Sequence, residues 1–450
     1  MDARFDRARS AALAVYRAAL EGVRAERVLG EIAWHGLLTR RLHDYERVVV
    51  CAIGKAAMPY MHTMLERLEI ERRTVDDAIC VVPHGYPATL PESYRLSERV
   101  KVIEAGHPTP DSGSVRAARS VLDVARALNE DDLFICLLSG GGSALCTDFH
   151  PPISLDDAVE TYRLLLSSGA GIGEMNVVRK RLSRVGGGRL AVTAYPAEIV
   201  TLAVSDVPGD DPSVIASGPT VPDATTAEDA LRILEGYGLI GQLPASVRAF
   251  LQELARRSER DRPLPDAEVF ARSSFRLLAG NRTALEAAAA CARRMGYVVH
   301  MRAEPVTGEA GEIGPRLVTD SLQERASAPA CILAGGEATV TLRGSGRGGR
   351  CQESALAAGI ALERMGAEDV VYLSAGTDGV DGNSPAAGAV VAASQIRRQS
   401  QAGRDPGSYL ERNDSYTFFE HTEMLVQTGP THTNVMDVHV ILRGIPPIPN

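Results

Sequence analysis

No stretch of the chain approaches the ~18 consecutive apolar residues of a membrane-spanning helix, so no membrane partner is expected. No basic block is long enough to follow a phosphate backbone. Asp and Glu number 57 against 48 Lys and Arg, a formal net charge of -9, which argues against nucleic acid as a partner. The ten histidines include no H-E-x-x-H and no Cys/His pair at zinc spacing. G-x-x-x-x-G-K-[ST] and G-x-S-x-G are both missing, which excludes the common P-loop and the usual hydrolase elbow. Cysteines are few and odd in number, seven in all, and Cys51, Cys136 and Cys331 sit inside apolar runs where a thiol packs as a small hydrophobe. The opening MDARFDRARS is charged from its second residue and has no apolar core of signal-peptide length. A cytoplasmic location is expected.

What is present is a normal globular composition, 45% hydrophobic and 23% charged, on a chain of 450 residues that is long for one core. Residues 8–29 carry apolar positions at helical spacing. Strands are expected at Val48–Ile53, Ala78–Val82, Val100–Ile103, Leu133–Leu138, Ile199–Val204, Phe275–Leu278, Tyr297–His300, Ala330–Leu333, Ala338–Leu342, Val370–Leu373 and Val438–Leu442, mostly separated by helical patterns. That alternation predicts an α/β fold with a largely parallel sheet and ligand loops at the carboxyl ends of its strands. A composition shift across residues 222–265, ending in the charged ELARRSERDRPLPD, predicts two domains, 1–240 and 241–450, with a cleft between them as the natural place for a ligand.

Four glycine-rich segments supply the chemistry. In LLSGGGSAL, Ser139, Gly140, Gly141, Gly142 and Ser143 can turn several N–H groups toward one anion, although a hydrolase oxyanion loop or a plain tight turn fits the same residues. In SDVPGDD, Asp206 closes a strand and suits a catalytic base or a Mg²⁺ ligand, whereas Asp210 and Asp211 follow a Pro-Gly turn and can simply shape it. GSGRGGR satisfies G-x-G-x-x-G through Gly344, Gly346 and Gly349. Arg347 and Arg350 make it a poor nicotinamide loop and a better polyphosphate one, with Gly346, Arg347, Gly348 and Gly349 as phosphate contacts; a solvated turn is the alternative. Asp378 and Asp381 of GTDGVDG, with Glu337 of GGE, are carboxylates for a metal, and the D-G-V-D spacing lacks the rest of an EF-hand. Lys55 follows a strand-terminal glycine, where a surface charge is as natural as a phosphate contact. His107 of EAGHPTPDSG reads as a structural histidine. Together these loops point to an enzyme for a phosphorylated ligand.

Taken in order, LLSGGGSAL, MNVVRKRLSRVGGGRLA, SDVPGDDPSVIASGPTVPD, GGEATVTLRGSGRGGRCQE, LSAGTDGVDG and TGPTHTNV resemble the type II glycerate kinases, the glycerate 2-kinase group with a C-terminal MOFRL domain, some of them formerly labelled hydroxypyruvate reductases. The likeness runs from about Ala12 to about Leu442. It implies a Rossmann-like parallel-sheet N-terminal domain and a smaller α/β C-terminal one with the active site between them. It also implies ATP and Mg²⁺ as cofactors and D-glycerate, or a related small hydroxy acid, as acceptor. The family's motif lysine falls on Lys55, its strand-end aspartate on Asp206 and its loop arginine on Arg350. The reading admits a homodimer and keeps an NAD(P)H-dependent hydroxypyruvate reductase as the rival activity. Departures from the family pattern are Cys351 for its usual Asn, Pro385 for a carboxylate in D-G-P-T-D-A-A-G, and His432 and Met436 in what is usually TGPTGTNVND.

Overall fold

The computed structural model describes residues 3–30, 32–257, 268–324 and 329–446. These form two compact units, one of residues 28–278 and one combining the N-terminal 27 residues with 279–450. The boundary expected at 240/241 falls inside the first of these, in the turn before the helix Ala245–Arg256. The charged stretch expected to mark it lies, beyond residue 257, outside the described residues.

The 28–278 unit is built on β1 (Val48–Ile53), β2 (Asp77–Pro83), β3 (Val100–Ala105), β4 (Leu133–Leu138), β5 (Glu198–Val204) and β6 (Ser273–Ala279), in the order β3-β2-β1-β4-β5-β6. The first five are parallel, with Cys51 opposite Ile79 on one side and Cys136 on the other. β1, β4 and β5 are buried at every position because neighbouring strands and helices cover them on all sides, which is why β1 and β4 read as unbroken apolar runs and β5 as one interrupted only by Glu198 and Thr201. The chain runs outward from β1 to β3 and returns to β4 on the other flank of β1. In a doubly wound sheet this reversal opens a crevice at the carboxyl ends of β1 and β4. A second apolar core gathers the helices Leu155–Ser167, Ile172–Leu182, Ala227–Gly236 and Ala245–Arg256 around Leu165, Val178, Leu234 and Leu251.

The other unit holds a mixed sheet of β7 (Val298–Met301), β8 (Val306–Glu309), β9 (Ala330–Thr339), β10 (Val370–Gly376), β11 (Gly388–Ala392), β12 (Leu425–Val426) and β13 (Asp437–Arg443). Its order is β12-β11-β10-β13-β9-β7, with β8 also pairing β9. The largely parallel arrangement expected of the whole chain does not extend here: β10 is antiparallel to both β11 and β13, and β13 to β9. The physical reason is the connection between β10 and β11, residues 377–387, which contains no helix and is too short for a parallel crossover. Ala330–Leu333 and Ala338–Leu342 are one strand to Thr339, and residues 340–342 leave the sheet. The helix Ala3–Gly22 belongs to this unit. Its Gly22 faces Ala287 of the helix Asn281–Arg294, and Tyr16 donates to the Gly376 carbonyl at 2.6 Å. All seven cysteines are free thiols and all but Cys291 are buried. No helix among the described residues is long and apolar enough to cross a membrane.

Candidate active site

In the 28–278 unit the loops leaving β1, β3, β4 and β5 meet at the strand-order reversal. Gly54, at φ +134°, lets the β1 turn lie against Ser139, where any Cβ would collide. The two turns are then laced together. Lys55 N–H donates to the Gly140 carbonyl at 2.9 Å, Ser139 N–H to that of Ile53 at 2.9 Å, and Ala56 N–H to Ser139 Oγ at 3.1 Å. Ser139 is buried and its hydroxyl belongs to this lacing. The Asp206 carboxylate lies against Gly140, in the space a side chain there would take. Gly141, at φ +86°, lies beneath two more groups: a Cβ on it would be 2.9 Å from Cδ2 of His107 and 3.5 Å from Cγ of Lys55. The sequence alone reads His107 as a structural histidine, because only the β3 position in the sheet brings its loop here. Burial, with the neighbouring Lys55 charge, pushes its imidazole down to about 4, so the ring is neutral near pH 7.

Behind this cluster, Ser143 Oγ and Ser217 Oγ are 2.7 Å apart. Ala216 (φ 49°), Ser217 (φ 61°) and Gly218 (φ 57°) form a left-handed run, an unfavourable region for the two residues with side chains, held by Gly187 N–H to the Ser217 carbonyl at 2.8 Å. Further back, Asp223 binds Lys180 Nζ at 2.8 Å and Arg181, with all three side chains buried. The MNVVRKRLSRVGGGRLA motif thus braces this loop from within. In SDVPGDD, Asp211 Oδ1 accepts from Ser213 N–H at 2.8 Å and shapes the turn. Asp210 has φ 55°, and its Oδ1 is buried without a hydrogen-bond partner among the described residues. For a buried carboxylate oxygen in that state the expected partner is an ordered water, a proton or a cation.

In the second unit Arg350 opens the helix Arg350–Met365. Its Nε and Nη2 make a two-point contact with Asp437, at 2.7 and 2.9 Å, and its Nη1 is 2.9 Å from Glu337 Oε1. Burial works against the guanidinium charge, but the Asp437 carboxylate outweighs it and holds the group firmly protonated. Asp381 accepts from the N–H groups of Cys351 and Gln352 at 3.0 and 2.8 Å and from Gln352 Nε2 at 2.9 Å, so it caps that helix. Asp378 accepts from Val380 N–H at 3.1 Å. The three carboxylates expected to share a metal therefore have separate neighbours. Among the described residues no group of three or more His, Cys, Asp or Glu side chains is placed to hold an ion.

The GSGRGGR loop differs most from its sequence reading. Several of its N–H groups, and that of the preceding Arg343, already have acceptors: Asn413 Oδ1 for Arg343 and Gly344, Asp414 Oδ1 for Arg347, and Asn383 Oδ1 for Gly348, between 2.6 and 3.1 Å. A Cβ at Gly344, Gly346 or Gly348 would strike Arg412, Asp414 or Ser415, so these glycines permit close packing. Gly349 likewise lies against Asp381, and Arg347 stacks over Tyr416, 4.4 Å from the ring centre.

Asp381→Ala is accordingly expected to destabilise the fold by roughly 2–4 kcal/mol, since buried donors lose their acceptor at ~1–3 kcal/mol each. Burial pushes the Asp381 carboxyl up to about 7, against the pull of its N–H donors. The folded state then keeps this proton longer than an unfolded aspartate near ~3.9. Stability from this group is present at low pH and is lost as pH rises from about 4 to 7. Across that range urea midpoints of the wild type should fall relative to those of the alanine variant.

Two departures from the family pattern also find a physical setting. His432 and Met436 have φ 61° and 68°, where the usual Gly and Asn are the residues least strained. His432→Gly should therefore raise stability by about 1 kcal/mol, read as a higher melting temperature. An unchanged or lower midpoint would show that the imidazole's own contacts offset the strain.

Comparison with known proteins agrees with this architecture. Residues 11–252 match a family described as a domain of unknown function, DUF4147, and residues 330–437 match the MOFRL family. A protein of Agrobacterium vitis named putative hydroxypyruvate reductase is 44% identical over 406 residues, 88% of this chain and 87% of its own. The D-glycerate 2-kinase of Thermotoga maritima is 38% identical over 402 residues, 88% of this chain and 90% of its own. The crystal structure of a glycerate kinase from Thermotoga maritima superposes with a TM-score of 0.82 at 35% identity, covering 96% of this chain and 99% of that one. One family model spans more than half of the sequence, and relatives 38% and 44% identical cover most of it, so the chain belongs to the glycerate kinase family that joins a DUF4147 region to a C-terminal MOFRL region.

Proposed function

We propose that this protein transfers the γ-phosphoryl group of ATP to D-glycerate, at the 2-hydroxyl, giving 2-phosphoglycerate. The observation that carries the reading is the cluster at the β1/β4 reversal, where a lysine, a neutral histidine and a strand-end carboxylate converge on a glycine turn. Phosphoryl transfer asks the protein mainly to position reactants and stabilise charge. Asp206 orients the acceptor hydroxyl and takes its proton. Lys55 and the Gly140–Gly142 turn hold anionic oxygens. The chemistry of Asp210 fits Mg²⁺, because its buried, unpartnered oxygen suits a hard cation that needs only one or two carboxylates beside phosphate oxygens. When bound, that ion neutralises phosphate charge. Glu337, Asp378 and Asp381 fit it less well, each having a protein partner of its own.

The reductase reading has the names of two relatives in its favour. Against it, the G-x-G-x-x-G loop spends its N–H groups on Asn413, Asp414 and Asn383 and has few left for a pyrophosphate. Incubation with ATP, Mg²⁺ and D-glycerate, followed by ³¹P NMR, should give 2-phosphoglycerate, whereas hydroxypyruvate with NADH or NADPH should give no oxidation of the nucleotide. The converse pattern would replace the kinase by the reductase. The reading keeps small-molecule partners and a cytoplasmic enzyme, and light scattering tests the homodimer.

A further inference from the structure

Arg350 has two unlike edges. Nε and Nη2 face Asp437, which is fully buried at the start of β13 and has its own carbonyl bound by Asn281 Nδ2 at 2.9 Å. Nη1 faces Glu337, whose side chain is 43% exposed. One cation thus carries two carboxylates, and an anion approaching this guanidinium meets a local charge of about -1 unless one of them leaves. Asp437 cannot leave without a buried charge being stranded. Glu337 can swing into water.

We infer that Glu337 is a stand-in for the ligand's oxyanion: it occupies the outer edge of Arg350 until a polyphosphate oxygen displaces it. Asp437 is the positioning residue that keeps the guanidinium fixed while the exchange takes place. This deepens the kinase reading and rests on it for the ligand being a polyphosphate. The arrangement selects by charge, because a singly charged carboxylate gains little by replacing another carboxylate on Nη1, whereas a polyphosphate brings several oxygens and more charge. It also assigns Glu337 a role other than metal binding.

The test measures pyrophosphate binding by calorimetry in EDTA, so that no metal takes part. Glu337→Gln removes the competing charge and should bind pyrophosphate about fivefold more tightly than the wild type. Glu337→Asp, too short to keep the contact, should gain in the same direction. Adding Arg350→Lys should abolish the gain, and melting curves of each variant control for folding. Unchanged or weaker binding by Glu337→Gln, or no binding by any form, would overturn the inference. Turnover of D-glycerate is measured separately. A protein inactive as a kinase that still shows the gain loses the functional reading and keeps the exchange at Arg350.

Discussion

Arg350→Lys should lower kcat on D-glycerate by about 10²–10³-fold, and Lys55→Ala by a similar factor, in the manner of a lost electrostatic donor. The two variants should part company in stability. Arg350 is the partner of a carboxylate with no exposure at all, and removing the guanidinium outright would strand Asp437 at a cost of about 3–5 kcal/mol. Arg350→Ala would therefore confuse misfolding with lost chemistry. Lysine keeps the charge but cannot reproduce the two-point contact on Asp437, so the guanidinium's aim is what the variant deletes. Lys55 is half-buried and has no ion pair among the described residues, so its alanine variant should melt close to the wild type. Rates at the wild-type level in either variant, with the fold intact, would show that this cation takes no part in the transfer.

Much of the 28–278 unit was legible because a fully buried parallel strand has only one kind of sequence available to it. Val48–Ile53 and Leu133–Leu138 have the same bounds in the structure as in the sequence reading. Strands β8, β11 and β12 were missed. β11 reads GAVVA, short and alanine-bearing, and it is a strand because β10 and β12 flank it. The glycine loops show a sharper limit. SGGG and GSGRGGR look alike as sequence, yet the glycines of one make room for Asp206 and His107, and those of the other for residues 412–415 and Asp381. Glycine reports a close approach and not what approaches. The same holds for carboxylates. Asp381, expected on a metal, caps a helix, whereas Asp210, read as a turn former, has the orphaned oxygen.

The departures from the family pattern divide in the same way. Cys351 is buried beside Arg350, with its thiol pushed far up by burial and by the Asp437 and Asp381 carboxylates, so it serves as a neutral filler. Pro385 is exposed, next to the buried Ser384 that accepts from Gln352 Nε2 at 2.6 Å. A carboxylate lost at that position was on the surface of the loop, and restoring it is a change of surface charge, for which the usual effect is small.

Asp206→Asn should lower kcat by about 10²–10⁴-fold and leave nucleotide affinity nearly unchanged, as expected when a general base keeps its shape and loses its basicity. The packing of the carboxylate on Gly140 supplies an independent probe of the same role. Gly140 does not have a positive φ, so its backbone accepts alanine, but the new methyl group would occupy the place of the Asp206 carboxylate. Gly140→Ala therefore moves the base instead of deleting it. A misplacement of about 1 Å can cost ~10²-fold in rate, so this variant should fall between wild type and Asp206→Asn, with the ATP KM again held. Combining the two changes should add little, because a side chain that is no longer a base loses nothing further by being displaced. If Asp206→Asn instead weakened ATP binding while kcat held, Asp206 would be a nucleotide contact. If Gly140→Ala were as active as the wild type, the carboxylate would have room to work elsewhere, and the base would have to be sought among the other groups that face the turn.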